Sequence, residues 1–166
     1  EPLPLEPGQL VISIAAGVPL SALEQWTPPD TALVRCMPNT PALIGAGITA
    51  LYASPGVASE EKASAEAVLR AVGEVVWVDD ERLLDPVTAV SGSGPAYVFW
   101  FIEQLAGSAV ALGLEKGTAL KLALHTVLGA AKLAASSGES PETLRKNVTS
   151  KGGTTEAALK VFDEER

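Results

Sequence analysis

Hydrophobic residues follow one rhythm in the first half of this chain and another in the second. Up to Asp80 they come as short, nearly unbroken runs: Leu10–Ile14, Leu33–Cys36, Gly47–Ala53 and Val75–Val78. Runs of that length, bounded by Gly, Pro, Asp and Ser, predict buried strands. Between them the spacing turns helical. Pro19–Gln25 predicts a short helix and Ser59–Val72 a longer one, opened by Ser59-Glu60-Glu61 as an N-cap with acids in the first turn and stopped before Gly73. Strands alternating with helices predict an α/β sheet.

Past Asp80 the strand signals stop. Leu83–Ala89 predicts a short helix, and Ala96–Leu112 a long one with Pro95 in its first turn and Gly113 at its end. Lys116–Ser136 predicts another, with Leu120, Leu124, Val127, Leu128 and Ala131 on one stripe. Ser140-Pro141-Glu142 opens a third with an N-cap and an N1 proline, and Thr154 or Thr155 caps the last. The pattern as a whole predicts α/β followed by all-α, with a boundary near Asp79–Leu83 dividing residues 1–80 from 81–166. Small residues in the helical half (Gly107, Ala111, Ala123, Gly129, Ala130, Ala134) let helix axes approach closely, either within the chain or between subunits.

Composition narrows this picture. The 166 residues are 47% hydrophobic and 19% charged, enough apolar material for a core and too little charge for disorder. A net charge of −8 argues against a nucleic-acid partner, which needs clustered Lys and Arg, but leaves room for a small anion held by local donors. One cysteine, Cys36, excludes an internal disulfide framework and fits a reducing, cytoplasmic setting. Glu1–Gly8 is proline-rich and acidic, unlike a secretory signal. The longest apolar run, Ala96–Leu114, is interrupted by Glu103 and Gln104 and predicts a buried helix of a soluble protein, not a membrane span. The chain does not begin with Met and stops in helical composition at Glu164-Glu165-Arg166, so it reads as a piece of a longer protein.

Four stretches carry candidate chemistry. Ser150-Lys151-Gly152-Gly153-Thr154-Thr155, ahead of the last helix, sets backbone N–H groups and three hydroxyls at a positive helix end, where a small carboxylate or phosphate binds without arginine. Arg35-Cys36-Met37-Pro38-Asn39-Thr40-Pro41 follows a strand, where ligands of open parallel sheets bind. Asn39 there could match a carboxamide, giving and taking a hydrogen bond, or could simply form an Asx turn. Ala15-Ala16-Gly17 is small enough for a ring or ribose to lie against it, and equally ordinary as packing. Ser91-Gly92-Ser93-Gly94 reads as an anion-binding loop or as a flexible N-cap, and Thr88 is a hydroxyl in the apolar stretch leading into it. His125, alone of its kind, reads as a core or interface histidine; Cys36 has no partner for metal or thiol chemistry, and no metal-ligand cluster is present. Asp79, Asp80, Glu81 and Asp85 read as a solvated linker and helix start.

Cys36-Met37-Pro38-Asn39-Thr40-Pro41, Ser91-Gly92-Ser93-Gly94-Pro95-Ala96-Tyr97 and the segment 141–163, in this order, resemble the pyrroline-5-carboxylate reductases from Val11 onward. The resemblance implies the C-terminal part of a Rossmann dinucleotide-binding domain followed by a helical dimerisation domain. It also implies reduction of 1-pyrroline-5-carboxylate to L-proline with NADPH or NADH, in a homodimer or larger homo-oligomer. Position by position, Ala15, Ala16, Gly17, Asn39 and Thr40 match cofactor-binding residues. Thr88 matches a threonine bonded to the substrate's ring nitrogen. Ser150, Gly152, Gly153, Thr154 and Thr155 match the loop holding the substrate carboxylate, which in such dimers comes from the partner subunit. The family's Gly-rich pyrophosphate loop has no counterpart in these residues. Two other readings stand beside it. One is a β-hydroxyacid or ketopantoate-type reductase, whose central-helix lysine Lys116, Lys121 and Lys132 do not match in context; the other is a non-catalytic oligomerisation module.

Overall fold

The computed structural model describes residues 4–6 and 8–164. By contacts the chain forms two units, one ending at Phe99 and one beginning at Trp100. The first unit therefore takes in residues 81–99 along with the sheet.

That sheet has four strands in sequence order: β1 (Leu10–Ser13), β2 (Ala32–Met37), β3 (Gly47–Ala53) and β4 (Gly73–Trp77). It is mixed. β1 and β2 run parallel, joined by α1 (Leu20–Trp26), and β3 and β4 run parallel, joined by α2 (Ser59–Arg70). β2 and β3 are antiparallel, with Val34 opposite Ala53 and Met37 opposite Ala50. The cause is connection length. A parallel crossover takes about a dozen residues or more, whereas residues 38–46 hold only a 3₁₀ turn, Thr40–Ile44.

Alternation along the strands fills both faces. Val34, Cys36 and Leu51 pack with Ala65 and Leu69 of α2, while Leu33 packs with Leu20 and Leu23 of α1. Leu33, Val34 and Leu51 are at most 1% exposed. α2 departs from its sequence reading at one point: the N-cap position is Ala58, not Ser59, and Glu61 accepts the Ala58 N–H at 2.7 Å in place of a hydroxyl cap.

Beyond β4 the chain enters a 3₁₀ turn (Glu81–Leu83), α3 (Leu84–Val87) and a π-helical turn (Thr88–Gly92), and then starts α4 (Gly94–Ala111). The Ser91–Gly94 stretch, expected as an anion-binding loop or a flexible N-cap, is thus largely helical. Thr88 and Ser91 hydroxyls donate back to the carbonyls of Leu84 and Val87, and Ser93 N–H reaches Thr88 O at 2.8 Å, the wide spacing of a π-turn.

The second unit holds the rest of α4, then α5 (Lys116–Ser136), α6 (Pro141–Asn147) and α7 (Thr154–Glu164). Glu115 and Ser140 cap α5 and α6, accepting from Thr118 and Thr143 N–H. Thr154 and Thr155 lie inside α7 instead of capping it. Among its described residues only Ala119 and Ala123 are buried. Among the described residues, no helix is long and apolar enough to cross a membrane.

Candidate functional site

Because β1 and β2 run parallel, their carboxyl ends emerge at one edge of the sheet. Ala15, Ala16 and Gly17 leave β1 there, all exposed. A Cβ built on Gly17 would meet nothing within 4 Å, so the space beside this turn is open. Ile14 (63% exposed) precedes it, and Thr40, Leu43 and Ile44 stand exposed in the turn after β2. Small and apolar residues at one strand edge suit a flat ring, and these are residues that could hold the nicotinamide end of a dinucleotide.

Asn39 behaves differently from its exposed neighbours. It is half-buried, its Oδ1 accepts the Ile48 N–H at 3.0 Å, and its Nδ2 donates to Ser91 O at 3.2 Å. It occupies the N-cap position of the 3₁₀ turn without making a cap bond. The structure thus brings Asn39 together with the turn that carries Thr88. Thr88 is also half-buried, and its Oγ1 donates to Leu84 O at 2.7 Å. With the proton so committed, what the oxygen offers a ligand is its lone pairs. Gly92 completes the approach: a Cβ there would come within 2.8 Å of the methyl at the end of the flexible Met37 side chain, which would have to move aside.

Glu81 was missed by sequence reasoning, which placed it in a solvated linker. Its carboxylate bonds both Arg35 of β2 and the N–H of Leu20 at the start of α1, the latter at 2.7 Å. The pair is mostly enclosed, at 13% and 28% side-chain exposure. Arg35 and Glu81 lie 46 positions apart, so no local pattern could reveal them. Asp80, by contrast, does sit in the linker. Hydrogen bonds from the Arg82 side chain and N–H hold its carboxyl down at about 2. Burial pushes the Cys36 thiol up to about 12, which leaves it protonated and unreactive. Among the described residues no group of three His, Cys, Asp or Glu is placed to hold a metal ion.

In the second unit, the loop before α7 turns at Gly152, whose φ of 71° favours glycine, and Gly153 N–H bonds Ser150 O at 3.0 Å. Ser150, Gly152 and Thr154 are exposed; Gly153 and Thr155 are half-buried. The Gly152 N–H donates to the Glu156 carboxylate at 2.6 Å. This amide therefore already takes a carboxylate, supplied by the first turn of α7. The loop lines a shallow groove with Thr149, Leu159 and Lys160.

A family model described as pyrroline-5-carboxylate reductase dimerisation matches residues 81–166. The chain is 50% identical over 158 residues to a pyrroline-5-carboxylate reductase of Pseudomonas aeruginosa, covering 95% of this chain and 58% of the relative. It is 51% identical over 154 residues to one of Synechocystis, covering 93% and 57%. Among solved structures, the Coxiella burnetii pyrroline-5-carboxylate reductase superposes with a TM-score of 0.89 at 47% identity, over 94% of this chain and 58% of that one. The Plasmodium falciparum pyrroline carboxylate reductase with NADP bound does so with 0.86 at 32%, over 95% and 63%. The chain spans about 58% of the length of the Pseudomonas and Coxiella proteins it matches. With more than half of its residues under the family model, the chain belongs to the pyrroline-5-carboxylate reductase family.

Proposed function

We propose that this chain provides the catalytic edge and the dimerising helices of an enzyme that reduces 1-pyrroline-5-carboxylate to L-proline with NADPH or NADH, in the cytoplasm. The observation that carries the reading is the Thr88 hydroxyl, held by Leu84 O in the turn that Asn39 bonds just past β2. We place the functional division between residues 80 and 81; its support is that the family model starts at residue 81.

Ala15, Ala16, Gly17 and Thr40 would line the nicotinamide end of the cofactor. When bound, NADPH or NADH supplies the hydride that the protein itself cannot. Thr88 Oγ1, with its own proton given to Leu84, accepts the N–H of the protonated ring nitrogen. That bond orients the C=N carbon and favours the iminium over the neutral imine, the form with the more electrophilic carbon. As the carbon becomes tetrahedral, the nitrogen keeps its N–H and the same acceptor.

The loop Ser150–Thr155 would hold the substrate carboxylate, with Gly152 N–H and the Ser150, Thr154 and Thr155 hydroxyls as donors. Its support is that a carboxylate, that of Glu156, already bonds the Gly152 amide. Substrate would displace it.

The homodimer rests on the helices. Phe99, Trp100, Leu122, Leu128 and Leu133 are between 49% and 63% exposed. Fully burying such a side chain contributes roughly 1.5–3 kcal/mol, and a whole domain is stable by only about 5–15 kcal/mol. Leaving this surface wet would be costly, and a second copy of the chain covers it. Reduced-nicotinamide consumption by the full chain, with and without pyrroline-5-carboxylate, tests the activity. Consumption dependent on that substrate is expected; a folded dimer that consumes none is an oligomerisation module instead.

A further inference from the structure

Residues 81–92 are fastened to β2 and the segment that continues it, and the fastenings repeat at every second position. Arg35 pairs with Glu81, Met37 meets Gly92, and Asn39 bonds Ser91. Positions two apart in an extended chain point to one face, so a single face of this strand and its extension grips the segment that carries Thr88. The grips are unequal in what they fix. Arg35–Glu81 ties the entrance of the segment to the start of α1. Gly92 merely permits contact. Asn39 alone makes directional bonds to both the π-turn and the sheet, through Ser91 O and Ile48 N–H.

From this geometry we infer that Asn39 is a positioning residue: it sets where the Thr88 hydroxyl stands relative to the strand edge, and does not itself bind the cofactor. An amide reserved for a carboxamide ligand would keep a free acceptor and a free donor toward solvent. Here Ile48 N–H takes one lone pair of the acceptor, and one of the two donors goes to Ser91, only three residues from Thr88. The side chain also forgoes the cap bond an Asn ordinarily makes at the start of a helical turn. Both facts tie it to the turn. The inference rests on the reductase reading for its kinetic consequence, but the bond pattern stands apart from that reading.

The test uses Asn39→Ala and Asn39→Asp in the full chain. Asp keeps an acceptor for Ile48 N–H but sets a carboxylate oxygen against the Ser91 carbonyl, so the sheet bond survives and the turn bond is lost. Both variants are expected to lower kcat about tenfold or more, since small misplacements of a catalytic group are costly, with cofactor KM within about twofold of the parent. In a Thr88→Ala background, Asn39→Ala should change kcat no further, because both substitutions disable one device. A raised cofactor KM, additivity with Thr88→Ala, or full activity of Asn39→Asp would overturn the inference. Amide hydrogen exchange separates this from the reductase reading. In Asn39→Asp, residues 84–93 should exchange faster while β1 and β2 do not change, whatever the chain catalyses. Unchanged exchange there would refute the positioning role even in an inactive protein.

Discussion

The two units solve the problem of burying apolar surface in opposite ways. The first closes a core of its own on both faces of a sheet, with Leu33, Val34 and Leu51 essentially out of contact with water. The second consists of helices, of which α4 and α5 are largely apolar, yet it buries only Ala119 and Ala123 among its described residues. Helices of that kind are completed by something outside themselves. One unit carries its stability within one chain; in the proposed dimer the other would draw it from association, so concentration would govern it.

This contrast can be broken at several points. Leu51→Ala, in the closed core, should destabilise the first unit by about 2–5 kcal/mol, read as a lower urea midpoint at any protein concentration. Leu124→Glu, on the exposed stripe of α5, should leave monomer folding of the first unit intact but weaken association by about 10²-fold or more, as a charge is forced into an apolar interface. Sedimentation equilibrium would show it, and an unchanged dimer would end the claim that this stripe is covered. Thr88→Ala should lower turnover by about 10²-fold with little change in dimerisation. A variant within about threefold of the parent removes Thr88 from the chemistry.

The thiol gives a subtler probe of the closed core. Cys36 is held at about 12 when folded, against 9.0 for a free thiol. Between those values the unfolded chain loses its proton while the folded one keeps it. Stability therefore falls as pH rises from 9 toward 12, by up to about 1.4 kcal/mol per pH unit. Cys36→Ala should flatten that decline, measured as the pH dependence of the urea midpoint. The smallest effect belongs to the second unit. Glu156→Ala removes the internal carboxylate from Gly152 N–H and should lower substrate KM by about threefold, the scale of one exposed charged bond.

Much of this architecture was legible in the sequence because local rules and burial agree there. The apolar runs of β1 to β4 and the long periodic stripe of Lys116–Ser136 can be satisfied in one way only. Ser140 caps α6 as its Ser-Pro-Glu start predicts, since hydroxyl, fixed φ and acid act within one turn. The Ser91–Gly94 stretch misled because glycines advertise a loop, whereas the back-bonding hydroxyls of Thr88 and Ser91 keep the chain helical. Ser59 misled because the acid at Glu61 did the capping unaided. The antiparallel β2–β3 step depended on connection length, which a strand-by-strand reading does not weigh. Arg35–Glu81 and Asn39–Ser91 depended on which elements the fold brings together across 46 and 52 positions, and no motif encodes that.

The proposal that unites both units is chemical: a dimer of the full chain would convert a cyclic imino acid to proline at the expense of reduced nicotinamide. Quantifying L-proline formed against reduced nicotinamide consumed, with parent and Thr88→Ala side by side, tests it most directly. Equal amounts from the parent and about a hundredth of that rate from the variant are expected. Nicotinamide oxidation without proline, or proline formed equally well by the variant, would contradict it.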